Sequence, residues 1–155
     1  MASHVDDLRY ATRDDAADVA RLLHEFNTEF DDPSPGVEAL QVRLEALLDS
    51  PGTFAILVGR PAIALALVTL RTNVWYSGSV ALLDELYVAP GLRNNGIGTA
   101  IIDMLGTYAR HNSVALIEIG VDEGDIDARR FYERHGYTAT SPTTNEKALY
   151  YFREV

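Results

Sequence analysis

Leu86-Tyr87-Val88-Ala89-Pro90-Gly91-Leu92-Arg93-Asn94-Asn95-Gly96-Ile97-Gly98-Thr99 reads as a strand that runs through a tight turn into a helix. The first amides of a helix have no partners inside it, and the helix dipole adds partial positive charge there, so such a turn is a ready anion site. Gly96 and Gly98 carry no side chains, which lets a diphosphate approach the amides of Asn94, Asn95, Gly96, Ile97, Gly98 and Thr99. Arg93 supplies a cation from the turn itself.

Working upstream, the strand reaches back to Ser79, with Asp84 and Glu85 interrupting its apolar run. Before it, the runs 53–58 and 62–70 are joined by Gly59-Arg60-Pro61, a turn too short for anything but an antiparallel hairpin. Residues 8–11 read as a short strand. Thr12-x-x-Asp15 is a capping-box-like start for a helix with Val19, Leu22, Leu23 and Phe26 at helical spacing. The polar stretch 27–36 breaks it, and a second amphipathic helix follows through Val37, Leu40, Leu44, Leu47 and Leu48 to Ser50-Pro51-Gly52. Downstream, a helix over 96–110 places Ile97, Ile101, Leu105 and Tyr108 on one face. The run 114–121 is almost wholly apolar, the pattern of a strand buried on both faces. An acidic loop, a helix over 126–135 and strands at 137–140 and 148–153 complete the chain. This order predicts a mixed α/β fold, one sheet of six to seven strands with about four helices on its two faces.

At 155 residues and 47% hydrophobic, the chain fits one domain, taken here as 1–155. It has no cysteine, which removes disulfides, thiolate metal sites and a cysteine nucleophile. His4, His24, His111 and His135 are scattered without ligand spacing, and 122–127, although acidic, lacks the spacing of an EF-hand loop, so no metal is expected. Nothing at the N-terminus resembles a signal peptide and no segment has the length of a membrane span, so the expected location is cytoplasmic. The net charge of −10 argues against nucleic acid and anionic membranes and favours a cationic partner.

A glycine turn without a ligand would also explain Gly96 and Gly98. A dinucleotide-binding Rossmann turn would place an acid near Glu118, but the third glycine position is Ile101 and Glu118 falls mid-strand. A Walker loop is excluded because no Lys-Ser or Lys-Thr follows. The pattern Val88-x-Pro90-x-x-Arg93-x-x-Gly96-x-Gly98 resembles the pyrophosphate signature of the GNAT superfamily of N-acetyltransferases. In the same order, Ala128-x-x-Phe131-Tyr132-x-x-x-Gly136-Tyr137 resembles its second motif. The resemblance implies a mostly antiparallel sheet splayed between strands four and five, with acetyl-CoA in the gap. The main chain of Leu86, Tyr87 and Val88 would then pair with the pantetheine arm, with Ala128 and Asp125 nearby; Asp125 stands where the family usually has Asn. Dimers are common in that family, so a homodimer is among its implications.

The resemblance also implies roles. An alkyl amine with a pKa near 10 must lose a proton before it attacks a thioester. Glu85 is the first candidate base, placed by strict alternation on one strand face with Leu83 and Tyr87. Asp84, on the opposite face with Leu82 and Leu86, is the reserve. Tyr132 is the candidate acid for the departing thiolate, and a main-chain N–H at or near Leu86 is the oxyanion donor. Phe30, Asp31, Trp75 and Tyr76, with Glu29 and Asp32, are candidates for the amine pocket. The expected activity is acetylation of a primary amine on a polyamine- or aminoglycoside-like small molecule. Acetylation of a protein N-terminus or lysine, and a non-catalytic acyl-CoA-binding module, are the alternatives.

Overall fold

Strand-forming runs separated by short turns give a sheet whose strands lie side by side in chain order. The computed structural model describes residues 4–155, with β1 (Leu8–Tyr10), β2 (Thr53–Val58), β3 (Ala64–Arg71), β4 (Ser79–Val88) and β5 (Val114–Ile119) ordered β1-β2-β3-β4-β5. The first four pair antiparallel, and the expected hairpin is present, with Thr53 opposite Thr69 and Val58 opposite Ala64. β5 runs parallel to β4, which requires a crossover, and α3 (Ile97–His111) supplies it.

The apolar stripes predicted for the first two helices bury against one face. Val19 and Leu22 of α1 (Ala16–Glu29) and Leu44 of α2 (Val37–Leu48) join Leu57, Leu65 and Tyr87 in one cluster. Asp18 and Arg21 fasten α1 to the hairpin: the Ala62 N–H donates to Asp18 Oδ2 at 2.6 Å and Arg21 Nη2 donates to the Ala62 carbonyl at 2.7 Å. On the other face, Ile97, Ile101 and Leu105 of α3 are buried, and Tyr108 stacks at 4.2 Å between centroids on Phe54.

Two irregularities shape the sheet. Leu67 sits opposite Glu85 but Val68 sits opposite Leu83, so β4 carries Asp84 as an extra residue, a β-bulge. The β4–β5 ladder also ends at Leu83 and Ile119, while β4 continues for five more residues to Val88. Beyond Leu83, β4 is therefore paired on its β3 side alone among the described strands, the splay between strands four and five that the motif implied.

The chain divides into two compact units, one ending at Ile119 and one spanning Gly120–Val155. The second unit carries α4 (Ile126–Arg134) and an isolated antiparallel bridge between Thr140 and Lys147. The sheet thus has five strands rather than six or seven. Residues 148–153 have a strand-like composition, but the ladder stops after the Ala148 N–H donates to the Ala139 carbonyl, and Leu149 to Phe152 are exposed. A second correction concerns β5, which is not buried on both faces: Ala115 and Leu116 are exposed. It is the last strand of the sheet, and the α1–α2 layer sits over β2, β3 and β4 instead.

Gly78 enters β4 hard against the residue before β5. A Cβ there would stand 1.9 Å from the Ser113 carbonyl oxygen, which is fixed by a 3.1 Å bond from the Ser79 N–H. Gly78→Ala is expected to cost about 3 kcal/mol, the upper end for forced overpacking, measured as a lower urea midpoint with an unchanged slope.

Candidate functional site

The bulge decides where the two strand acids point. Cross-strand partners share a face, so Glu85 and Tyr87 lie with Leu67 and Leu65 on the α1–α2 side, whereas Leu83 lies with Val68 on the α3 side. Asp84 accepts a 2.5 Å hydrogen bond from Thr69 Oγ1, and Thr69 is two residues beyond Leu67, hence on the Glu85 side. Strict alternation, which put Leu83 with Glu85 and Asp84 opposite, is therefore corrected: the extra residue turns both carboxylates to one face. Thr69 was not among the expected site residues, and nothing in its sequence context marks it.

Glu85 is half-buried and its carboxyl is pushed up to about 7, first by burial and then by the negative charges of Asp84 and Asp32. Asp32 belongs to the loop after α1. That loop is held by a 2.7 Å bond from Asn27 Nδ2 to the Pro33 carbonyl, a 2.8 Å bond from the Asp32 N–H to the Asn27 carbonyl, and a 2.8 Å contact between His24 Nδ1 and Ser34 Oγ. Asp31 takes a left-handed φ of 56° in the same loop. The fold thus brings together Glu85, Asp84 and the acidic loop.

At the end of β4, the Ala89 N–H donates to the Ile63 carbonyl of the hairpin turn. Antiparallel geometry then directs the amides of Tyr87 and Glu85 to β3, and those of Leu86 and Val88 to the side that β5 has vacated. The turn that follows leads into α3. Asn94 and Gly96 both adopt left-handed backbone, φ 63° and 79°, and the first internal bond of α3 runs from the Ala100 N–H to the Gly96 carbonyl. The amides of Ile97 and Gly98, with Thr99 beside them, precede that bond. A Cβ on Gly96 would meet nothing within 4 Å, so glycine is required there by its φ while the space above it is open. Asn95 braces the turn, its Nδ2 donating to the carbonyls of Leu92 and Arg93. Arg93 is placed less simply than expected: its side chain turns toward α1 and pairs with Glu29.

In the second unit, Asp125 caps α4, its Oδ1 accepting from the Ala128 N–H at 3.0 Å. Tyr132 lies half-buried in α4 against Phe131 and Tyr137, at 5.2 and 5.8 Å between centroids. Of the aromatic candidates, Phe30 packs on Phe26. Trp75 is 87% exposed, in a loop organised by Asn73 Oδ1, which accepts from the N–H groups of Trp75 and Tyr76. That loop precedes Ser79, so about 20 Å of strand separates its end from Glu85 at roughly 3.3 Å per residue. Phe30 and the Trp75–Tyr76 pair therefore do not converge on one point. No helix among the described residues is long and apolar enough to cross a membrane.

Residues 17–137 match the acetyltransferase (GNAT) family. A crystal structure assigned as an acetyltransferase from Arthrobacter sp. FB24 is 49% identical with a TM-score of 0.90, covering 96% of this chain and 95% of that one. Aminoalkylphosphonate N-acetyltransferase of Salmonella typhimurium is 27% identical over 136 residues, 86% of this chain and 85% of the relative. One further curated relative, matched over 58 residues, is covered over 26% of its own length. The fold is also that of AAC(6')-Iy in complex with a CoA-S-monomethyl-acetylneamine bisubstrate analogue, with a TM-score of 0.75 at 15% identity, covering 96% of this chain and 98% of that one.

The like charges around Glu85 make its titration testable. Asp84→Asn and Asp32→Asn are each expected to lower the Glu85 midpoint from about 7, followed by carbon NMR of the carboxyl. The sign for stability follows from the raised value: between the unfolded midpoint near 4.3 and about 7 the native chain holds the extra proton, so this group's contribution falls as pH rises through that window. Urea unfolding at pH 5 and pH 8 should show a smaller difference for Glu85→Gln than for the native sequence.

Proposed function

The chain belongs to the acetyltransferase (GNAT) family, and from that premise we propose that it moves an acetyl group from acetyl-CoA to a primary amine of a cationic small molecule, polyamine- or aminoglycoside-like. The single observation that carries this reading is the placement of Glu85, half-buried beside the open edge of β4 and among acids that favour a cation, where burial pushes its carboxyl up to about 7. The family match runs across the boundary near residue 120, which supports reading the chain as one acetyltransferase domain.

The donor set suits coenzyme A. Leu86 C=O and Val88 N–H offer the unfilled side of a strand to an extended amide chain, as in β-strand addition, which leaves Leu86 N–H for the thioester end. Beyond them, the amides of Ile97 and Gly98 and the open space over Gly96 offer a cradle for a diphosphate. When bound, acetyl-CoA supplies a thioester carbonyl open to attack by a neutral amine.

The remaining chemistry falls to the chain's own groups. Glu85, ionised, accepts the proton of the substrate ammonium on a carboxylate oxygen; at about 7 it is close to the operating pH, where a base combines availability with proton affinity. Asp84 and Asp32 hold the substrate's positive charge near it, and Thr69 keeps Asp84 turned to that face. The Leu86 main-chain N–H donates to the carbonyl oxygen as charge builds on it. Tyr132 gives its proton to the leaving thiolate and is restored by the second proton that the nitrogen sheds as the intermediate collapses, a role that rests on the second motif, with Asp125 ordering the first turn of the helix that carries it. Phe30 and Asp31 border the acceptor. These acids would repel an acceptor that carries an anionic phosphonate, the class for which one relative is named.

Thiol release from acetyl-CoA across spermidine, kanamycin and 2-aminoethylphosphonate tests the reading. The two polycations are expected to turn over and the phosphonate to lag. Glu85→Gln should lower kcat/KM about 100-fold or more, and the acid limb of the native kcat/KM profile should bend near pH 7. Equal rates for native and Glu85→Gln enzymes on every accepted amine would remove Glu85 from the role.

A further inference from the structure

Arg93 opens the anion-binding turn, yet its own contacts lead back to α1. Its Nη2 donates to both carboxylate oxygens of Glu29, at 2.9 and 2.6 Å, and its Nε donates to the Val88 carbonyl at 2.9 Å. The guanidinium lies 5.6 Å from the centroid of the Tyr87 ring. Tyr87 is buried at the bottom of this arrangement, so the cation is fixed by a ring face, an ion pair and a backbone carbonyl at once. Nη1 is the guanidinium nitrogen to which these contacts assign no partner among the described residues.

Each contact has a consequence for the turn. The Val88 carbonyl points to the vacated side of β4, so Arg93 Nε occupies the last acceptor of that edge. The edge left for a ligand is Leu86 N–H, Leu86 C=O and Val88 N–H. Glu29 closes the last turn of α1, immediately before Phe30 and the acidic loop. A flexible arginine is thereby given one orientation across 64 residues of sequence.

We propose that Glu29 is a positioning residue for the acetyl donor: by holding Nη2, and through it the plane of the guanidinium, it presents Arg93 Nη1 to the diphosphate seated on the turn. This rests on the reading of the site as an acetyl-CoA site. Glu29 itself touches no reacting atom, and its pairing with Arg93 engages the carboxylate that the sequence offered to the amine pocket, which corrects that expectation. Its charge offsets that of Arg93, so its value lies in orientation; a guanidinium aimed in advance loses less side-chain freedom when the ligand arrives. The opposite arrangement, in which Glu29 competes with the diphosphate for Arg93, predicts the opposite sign when Glu29 is altered.

The test is calorimetry with acetyl-CoA on the full chain, native and Glu29→Gln, beside steady-state rates with acetyl-CoA and with S-acetylpantetheine, a donor that lacks the diphosphate, using spermidine as acceptor. Glu29→Gln is expected to weaken acetyl-CoA binding about tenfold and raise its KM to match, with kcat within about twofold and S-acetylpantetheine kcat/KM unchanged. Arg93→Lys should show the same donor selectivity, and Glu29→Gln/Arg93→Lys should be no worse than the poorer single variant, because the two residues act as one unit. Unchanged or tighter acetyl-CoA binding by Glu29→Gln overturns the proposal, as does an equal loss on both donors. No heat from acetyl-CoA with the native chain would instead overturn the reading of the site itself.

Discussion

The structure turns on a mismatch of one residue: β4 holds Asp84 where β3 offers no counterpart. A strand with strict alternation would send one of two neighbouring acids into the buried α3 face, where an unpaired carboxylate costs several kcal/mol. The bulge avoids that by giving the buried place to Leu83 and turning Asp84 and Glu85 together toward the α1–α2 side. The same point is where β5 stops pairing, so the acids and the unfilled edge of β4 are neighbours by construction. Two carboxylates side by side repel, and the fold tolerates this because Asp84 is exposed and bonded to Thr69, leaving Glu85 to carry the burial.

Whatever depends on local periodicity was legible in the sequence. Val19, Leu22 and Leu44 announce the buried stripes of α1 and α2, and the short turn after Val58, read as 59–61 and spanning 59–63 in the structure, forces the hairpin. Gly96 and Gly98 after Pro90 mark the strand-to-helix turn. What could not be read depends on partners far away along the chain. The bulge is a property of the pairing between β3 and β4, so alternation counted along β4 alone misplaced Leu83 and Asp84. Arg93 was legible as a cation near the turn, but Glu29, which fixes it, is a helix residue whose significance appears only when α1 folds over the sheet. For β5, apolar composition suggests burial on both faces, and for residues 148–153 a strand-like composition suggests pairing, although composition reports what a segment prefers and only its neighbours decide whether it is covered or paired.

The acids near the site and the whole-molecule charge of −10 act on different scales. Over more than about 10 Å at ordinary salt, the excess of acid is screened and serves mainly to bias encounter toward cations. Asp32 and Asp84 act within the screening length, on a group that is already partly removed from water, and there their charges are felt.

Those two acids are not what makes Glu85 effective as a base. A negative field raises the pKa of a carboxyl, but it raises that of a nearby ammonium as well, because the protonated amine is the charged form that the field favours. To the extent that Glu85 and the bound amine feel the same field, the gap between them is unchanged. Burial works differently: it disfavours charge in either group, raising the carboxyl and lowering the amine, and so narrows from both sides a separation of about 6 pKa units in water. Burial is also the largest cause of the Glu85 shift. The division of labour follows: Asp32 and Asp84 recruit and hold a cation, and the half-buried position of Glu85 is what lets that cation give up its proton.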